Sequence, residues 1–323
     1  MKKNISIAMA TYNGEQFIAE QLISIINQSR PPNEIIICDD SRNKLTFNVI
    51  VLFMKTYPNL IKYYYNDKQL GVSKNFEKAI SLTTGDINFL SDQADVWKLD
   101  KIEKFITLLN TSPYCNGVFC NSELVDCNLN TLGVTHWDLW GFQSKTQIIN
   151  LSDHLLDFFL KRVPAAGHNM AFNAKFKDIL LPFPDLPNCH DTWIGVLIAA
   201  ISEWGFIDET LTKFRQHDSN TSEICRHSKL KEAINSIKND TFSWHVKLYS
   251  ELIKRISQSD YEIEPQVLDL LLDRQNHSAV RAKMNCNILK RLPLIFSEIR
   301  NKRYFKFARG WKSIIQDIVL RGL

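Results

Sequence analysis

The chain has 323 residues, 45% of them hydrophobic and 23% charged, with a net charge of +4. That balance belongs to a globular protein with a real core, built as one large domain or two ordinary ones, and so mild a charge gives no reason to expect nucleic acid as a partner. Seven scattered cysteines with no CxxC pair argue against a disulfide framework or a thiolate zinc site and fit reduced thiols in a cytosol.

The apolar stretch after Met1-Lys2-Lys3 is too short for a secretory leader and reads as a first strand over 5–10, buried on both faces. No apolar run approaches the ~18 residues of a membrane span. Thr11-Tyr12-Asn13-Gly14 ends the strand, and Ile18, Leu22, Ile25 and Ile26 then recur at helical spacing until Pro31-Pro32. A second buried strand over 34–38 finishes in Asp39-Asp40-Ser41. A helix over 46–55 leads to a third strand over 60–65, and Ser73 is expected to cap a helix carrying Phe76, Ala79, Ile80 and Leu82. The fourth strand, Asp86-Ile87-Asn88-Phe89-Leu90, runs into Ser91-Asp92-Gln93-Ala94-Asp95. An amphipathic helix is expected over 97–109 and a short strand over 117–120. Such alternation predicts right-handed βαβ units and a mostly parallel sheet.

Residues 121–149 are looser and rich in aromatics, including Trp137, Trp140 and Phe142. A helix is predicted over 151–161, a small-residue loop and strand over 163–173, and a proline-rich loop over 182–187. His190-Asp191 opens an apolar helix through 201, and strands over 204–214 end in Arg215-Gln216-His217. From about 223 the period is helical. The division expected is an α/β body over 1–222, with halves 1–120 and 121–222, and a helical, basic region over 223–323.

In a parallel sheet the C-terminal strand ends line one edge, where ligands collect. Thr11-Tyr12-Asn13, Asp39-Asp40 and the acids from Asp92 to Asp95 all fall on such ends. A carboxylate there can accept from an imide N–H or a ribose hydroxyl, and Tyr12 can flank a base. Paired acids can hold Mg²⁺ or Mn²⁺ against a diphosphate. Neither GxGxxG nor GxxxxGK[ST] follows a strand, which weighs against dinucleotide cofactors and P-loop chemistry.

The ordered set TYNG, DDS, GVSKNFEKAI and TTGDINFLSDQADVW resembles the inverting family 2 glycosyltransferases of GT-A fold over about residues 4–220. It is most similar to the bacterial rhamnosyltransferase-like subgroup that builds O-antigen, capsule and other surface polysaccharide. The resemblance implies an α/β fold with a mostly parallel central sheet flanked by helices. It also implies transfer of a sugar, with inversion, from dTDP-rhamnose or a UDP-sugar to a glycan or lipid-linked acceptor. It places Thr11, Tyr12, Asn13, Asp40, Lys74, Asn75, Asp92 and Gln93 on the donor, with Lys74 at the diphosphate, and makes Asp191 the general base. Gly167, His168 and Asn169 match the acceptor loop, where Trp137 and Trp140 are candidates to stack on sugar rings. His217 lies in a segment expected near the diphosphate and metal.

One position departs from the pattern. The family's run is Asp-Gln-Asp-Asp, and Ala94 stands where a metal ligand is expected, leaving Asp92, Asp95 and His217 to hold a divalent cation. A methyl cannot coordinate a hard ion, so Ala94 reads as a natural divergence or, the favoured reading, an engineered inactivating change. The alternatives are a nucleotide-sugar-binding pseudoenzyme and a sugar nucleotidyltransferase, though the latter needs a glycine-rich basic loop where this chain has TYNG.

Between 281 and 312, ten basic residues face Glu298 alone, interleaved with Leu289, Phe296, Trp311 and other apolar residues. That composition suggests peripheral contact with an anionic membrane at the inner face of the plasma membrane, or else a solvated face of a helical, oligomer-forming domain.

Overall fold

The computed structural model of the chain describes residues 3–142, 151–162, 164–217, 241–284 and 287–319. The chain falls into two compact units, Met1–Asp153 with Val163–Ser219, and His154–Arg162 with Asn220–Leu323.

In the first unit, β1 (Ile5–Thr11) and β2 (Glu34–Asp39) are buried almost throughout. A strand covered by helices on both faces needs such a continuous apolar run. β3 (Ile61–Tyr65), β2, β1 and β4 (Ile87–Asp92) lie side by side and parallel, in that order. The crossovers between them are α1 (Ile18–Ile26), α2 (Leu45–Thr56) and α3 (Val72–Leu82). Ile7, Leu22, Ile37, Phe89 and Phe105 belong to the core they enclose. Thr11 pairs with Asp39 and Ala10 with Asp92, so three strands end level at one edge.

Beyond β4 the sheet is mixed. β8 (Met170–Asn173) runs antiparallel to both β4 and β6 (Cys115–Val125), and β9 (Glu203–Arg215) is parallel to β6. β5 (Val96–Trp97) and β7 (Thr131–Thr135) add short antiparallel pairings. Helices α4 (Lys101–Leu109), α5 (His136–Trp140), α7 (Lys177–Leu180) and α8 (His190–Ile201) complete this unit, while α6 (Leu151–Lys161) crosses the boundary between the units.

Three local expectations are corrected. Trp97 does not open a helix: it pairs with Thr212 of β9, its N–H donates to Ser24 Oγ at 3.1 Å, and its ring packs 5.8 Å from Phe89. The strand expected over 117–120 extends through Val125, because the polar run Asn121-Ser122-Glu123 still pairs with β9. Ser73 is not a helix cap. Gly71 takes the N-cap position, and Ser73 Oγ instead accepts the N–H of Cys189 at 2.8 Å.

In the second unit, α9 (Thr241–Ser257), α10 (Pro265–Ala282), α11 (Ile288–Arg300), α12 (Arg303–Phe307) and α13 (Trp311–Val319) follow one another. The helical period expected over 223–240 lies outside the described residues. The basic stretch is less uniform than its sequence implied, because Glu298 within it and Asp273 and Asp317 outside it pair with its arginines. Arg281 pairs with Asp317 at 2.7 Å, Arg303 bridges Asp273 and Glu298, and buried Arg291 donates to the Ile318 carbonyl.

Candidate active site at the strand tips

The loop after β1 is held by the acidic loop after β4. Gln93 Oε1 accepts from Thr11 Oγ1 at 2.5 Å and from the Tyr12 N–H at 2.8 Å, while Gln93 Nε2 donates to the Tyr12 carbonyl at 3.0 Å. Asn13 sits at φ 49°, a left-handed conformation that asparagine tolerates. A Cβ on the next residue, Gly14, would fall 2.2 Å from Gln93 Oε1, so a larger residue there would displace the amide that joins the two loops. Tyr12 is left exposed at the rim.

The acids after β2 are spent on the scaffold. Asp39 accepts from Ser41 and from the Tyr63 hydroxyl at 2.8 Å. Asp40 is buried and accepts from Asn66 Nδ2 at 2.7 Å, the Leu70 N–H at 3.1 Å and the Gly71 N–H at 2.8 Å. Its carboxylate thus holds the 66–71 loop. Asn75 is also internal, its amide donating to the carbonyls of Thr11 and Cys38. Lys74 does not point freely to a diphosphate, because Nζ donates to Glu77 and to the Phe183 carbonyl, both at 2.7 Å. Asn75 thus ties α3 to β1 and β2, Asp39 joins β2 to β3, and Lys74 anchors α3 to the 183 loop.

The acids after β4 are in the opposite condition. Asp95 is buried, and its Oδ1 accepts the Arg215 N–H at 3.2 Å, but Oδ2 has no partner among the described residues. Burial, with the charge of Asp92 beside it, pushes the Asp95 pKa well above the carboxylate range. Asp92 is pushed up to about 6, chiefly by desolvation, with His190 and Lys101 acting against the rise. Asp92, Asp95 and His168 each offer a ligand atom, and these atoms lie within 4.8 Å of one another. The trio suits a divalent cation: oxygen donors, an imidazole, and an orphaned carboxylate oxygen whose burial costs free energy until a cation or donor meets it.

His168 is therefore brought to the acids. Its Nε2 lies 2.7 Å from Ser122 Oγ, and its ring stacks on Phe214 at 4.2 Å and 4°. Burial, with His136 and Lys101 nearby, holds its pKa well below the usual value, so it is the neutral imidazole a metal requires. Lys101, buried at the start of α4, donates to the His168 carbonyl and to Thr212 Oγ1, both at 2.8 Å, and lies over the Trp97 ring. Desolvation lowers its pKa to about 8. Ser122, His136 and Lys101 escaped notice in the sequence. Lys101 left a signal there, a charge on the face shared with Phe105 and Leu109 at helical spacing. For His136 and Ser122 none is visible.

His217 lies outside this group, its ring centroid 4.9 Å from that of Phe17. Arg215 is a brace, not a free cation. Nε donates to the Ala94 carbonyl at 2.7 Å, and its guanidinium also meets Glu20 and the Cys127 carbonyl. Ala94 is buried with that carbonyl engaged.

Asp191 stands in the first turn of α8, its Oδ1 3.0 Å from His190 Nε2. His190 stacks on Phe76. Burial disfavours its charged form, but Asp191 and Asp92 prevail and raise its pKa. A Cβ on Gly167 would fall 2.9 Å from Asp191 Oδ1, so the loop at 167–169 lies directly against this carboxylate. Asn169 is fully buried, with both side-chain polar atoms unpartnered among the described residues. Trp137 is corrected from an expected sugar platform to core: it is buried, packing at 4.5 Å on Phe142 and edge-on to Phe119 and Phe206. Trp140 remains exposed, 5.8 Å from the His136 ring.

The sequence profile described as Glycosyl transferase family 2 matches residues 6–169. Among curated relatives, the dTDP-rhamnosyl transferase RfbG of Shigella flexneri is 39% identical over 117 residues, which are 34% of this chain and 40% of that protein. An uncharacterized glycosyltransferase of Haemophilus influenzae is 24% identical over 258 residues, 78% of this chain and 77% of its own. Among solved structures, Staphylococcus aureus TarS 1–349 in complex with UDP superposes with a TM-score of 0.57 at 15% identity, covering 97% of this chain and 91% of that one. The mannosyltransferase PcManGT of Pyrobaculum calidifontis, in complex with GDP-Man and Mn²⁺, gives 0.52 at 14% identity, covering 99% and 86%. At such identities these likenesses speak to fold alone, and the fold is GT-A. The profile covers just over half of the chain and contains the three strand tips and both starved acids, so the chain belongs to glycosyl transferase family 2.

Proposed function

We propose that this chain is an inverting glycosyltransferase of surface-polysaccharide synthesis. It would move a sugar from a nucleotide diphosphate to an acceptor hydroxyl, with Asp191 as the base. The observation that carries the reading is the place of Asp191, set against the 167–169 loop and close enough to Asp92 for their charges to interact. In a single displacement the acceptor oxygen forms its bond to the anomeric carbon as the bond to the diphosphate breaks. The acceptor's proton passes to Asp191, and attack from the face opposite the leaving group inverts the centre. The dipole of α8 favours a carboxylate in its first turn.

Asp92, Asp95 and His168 would hold a Mg²⁺ or Mn²⁺ ion, which when bound neutralises the diphosphate. The imidazole tilts that preference toward Mn²⁺. Thr11, Tyr12 and Asn13 form the donor's rim, with Gln93 fixing it. The name of the Shigella relative favours dTDP-rhamnose as donor, and the TarS complexes with UDP and UDP-GlcNAc keep a UDP-sugar in view. A lipid-linked acceptor, met at the inner face of a membrane, belongs to the same reading.

Ala94 favours a second reading, a nucleotide-sugar-binding pseudoenzyme, since the ligand expected there is missing. Nucleotide release from dTDP-rhamnose and UDP-sugars with Mn²⁺, run beside a thermal-shift panel of nucleotide diphosphates, separates the two. The transferase reading expects turnover that Asp191→Asn lowers by about 10²-fold or more with the nucleotide shift retained. Shifts without turnover on any donor would make the chain a binder, and undiminished turnover in Asp191→Asn would remove the base.

A further inference from the structure

The last three helices of the second unit turn their acids inward. On α11, Arg291, Ile295 and Glu298 form the buried stripe, and on α13 Asp317 is buried beneath Arg281 and the Tyr304 hydroxyl. Glu298 accepts from His277 at 2.6 Å and from Arg303 at 3.0 Å. Glu298 and Asp317 are the acids of the sequence from 283 to 319, so the outer surface of this stretch carries none. What faces outward is apolar and basic. On α11, Leu289 (75% exposed), Pro293, Phe296 (65%) and Arg300 follow at spacings of four, three and four, one outward stripe with Lys290 beside it. On α13, Trp311 (65% exposed), Ile315 and Val319 are spaced by four, flanked by Lys312. Phe305 of α12, 5.4 Å from the Trp311 ring, is exposed between Lys302 and Lys306.

Large apolar side chains gathered on neighbouring turns, with cations beside them and no acid, mark an interaction surface as singly scattered ones do not. We infer that the outward faces of α11 and α13 are a docking surface for an anionic phospholipid bilayer, with Leu289, Phe296, Trp311 and Ile315 entering the headgroup region and Lys290, Arg300, Lys302, Lys306 and Lys312 meeting the phosphates. The charge decides the occupant. Unopposed cations around an apolar centre complement an anionic surface, whereas a second copy of the same face would set like charges against each other. No helix among the described residues is long and apolar enough to cross a membrane. The inference deepens the transferase reading only in saying where a lipid-linked acceptor is met.

The test is co-sedimentation of the full chain with vesicles of phosphatidylcholine alone and of phosphatidylcholine with phosphatidylglycerol. Binding is expected with the anionic vesicles, about tenfold above the neutral ones and weakened by added salt. Phe296→Ser with Trp311→Ser, and separately Lys290→Glu with Lys312→Glu, should each lower it about tenfold with an unchanged melting temperature. Equal sedimentation with both vesicles, or parent-like binding by both variants, overturns the inference. So does a concentration-dependent dimer that the serine pair dissolves while vesicle binding is absent, an outcome that gives the face to a second copy. Nucleotide-diphosphate thermal shifts in the same preparations report on the transferase reading separately.

Discussion

Two pairs of acids stand at the tips of β2 and β4, each one strand away from β1, and their surroundings are opposite. Asp39 and Asp40 receive hydrogen bonds from Ser41, Tyr63, Asn66, Leu70 and Gly71. Buried Asp95 receives one, from the Arg215 N–H, and its Oδ2 has no partner among the described residues, while Asp92 beside it is half-buried. A buried carboxylate with its donors in place is a structural part. One without them costs free energy in the free protein, and it persists where a ligand will supply the missing charge. On this contrast the β2 acids belong to the scaffold, and cation binding is proposed for the β4 acids.

The largest effect expected is on the starved side. Asp92→Asn and Asp95→Asn should each lower transfer by about 10²–10³-fold, the scale of losing a principal electrostatic contact to the leaving group. Their melting temperatures should hold or rise, since a poorly solvated charge is removed. Donor turnover and thermal melts on the same samples check both. A fall in stability with activity kept would reverse the assignment of the two pairs.

Next comes the position between the acids. If His168 stands in for the ligand that Ala94 lacks, His168→Ala should weaken Mn²⁺ binding by about tenfold or more, and Ala94→Asp should restore it in that background. Titration of free Mn²⁺ by electron paramagnetic resonance reads this without reference to turnover. Unchanged affinity in His168→Ala would leave the cation to the two acids alone.

How much of this was legible beforehand follows the range of the interactions. The tips of β1, β2 and β4, and Asp191 at the start of α8, are local events, apolar runs broken by turn residues, and the sequence carries them openly. The condition of each acid is not local. Asp40 is saturated by a loop some thirty residues on, at Leu70 and Gly71. Trp97 is a strand residue only because β9 comes back beside it, and Trp137 is core because Phe206 and Phe142 close on it. His168 reads as part of an acceptor loop until that loop folds over Asp92 and Asp95. Spacing along the chain gives no access to such contacts.

On the satisfied side, the effect should be on stability. Asp40→Ala removes the acceptor shared by Asn66, Leu70 and Gly71 and should cost roughly 2–3 kcal/mol, the range for buried donors stripped of a charged partner. Denaturant melts measure the loss. Nucleotide affinity should fall with it, because the loop that Asp40 holds borders the edge proposed for the donor. A melt identical to the parent would mean that water replaces the carboxylate without penalty.

The smallest effect tests whether donors alone make an acid structural, away from the site. Glu34, at the opposite end of β2, accepts from Ser6 Oγ at 2.7 Å, from Thr84 and from Lys62 Nζ at 2.7 Å. Burial acts to raise its pKa, yet those donors outweigh it and bring the value down to about 2 from 4.5. An acid depressed in the folded state contributes stability that is fully present above its unfolded pKa and lost as pH falls through the folded one, here between about 4.5 and 2. Lys62→Met should therefore lower stability slightly at neutral pH, by the ~1 kcal/mol or less of a partly exposed pair, and the difference from the parent should shrink as the pH falls through 2. A difference that stayed at its full neutral-pH size at pH 2 would come from the packing of the Lys62 stem and not from its charge.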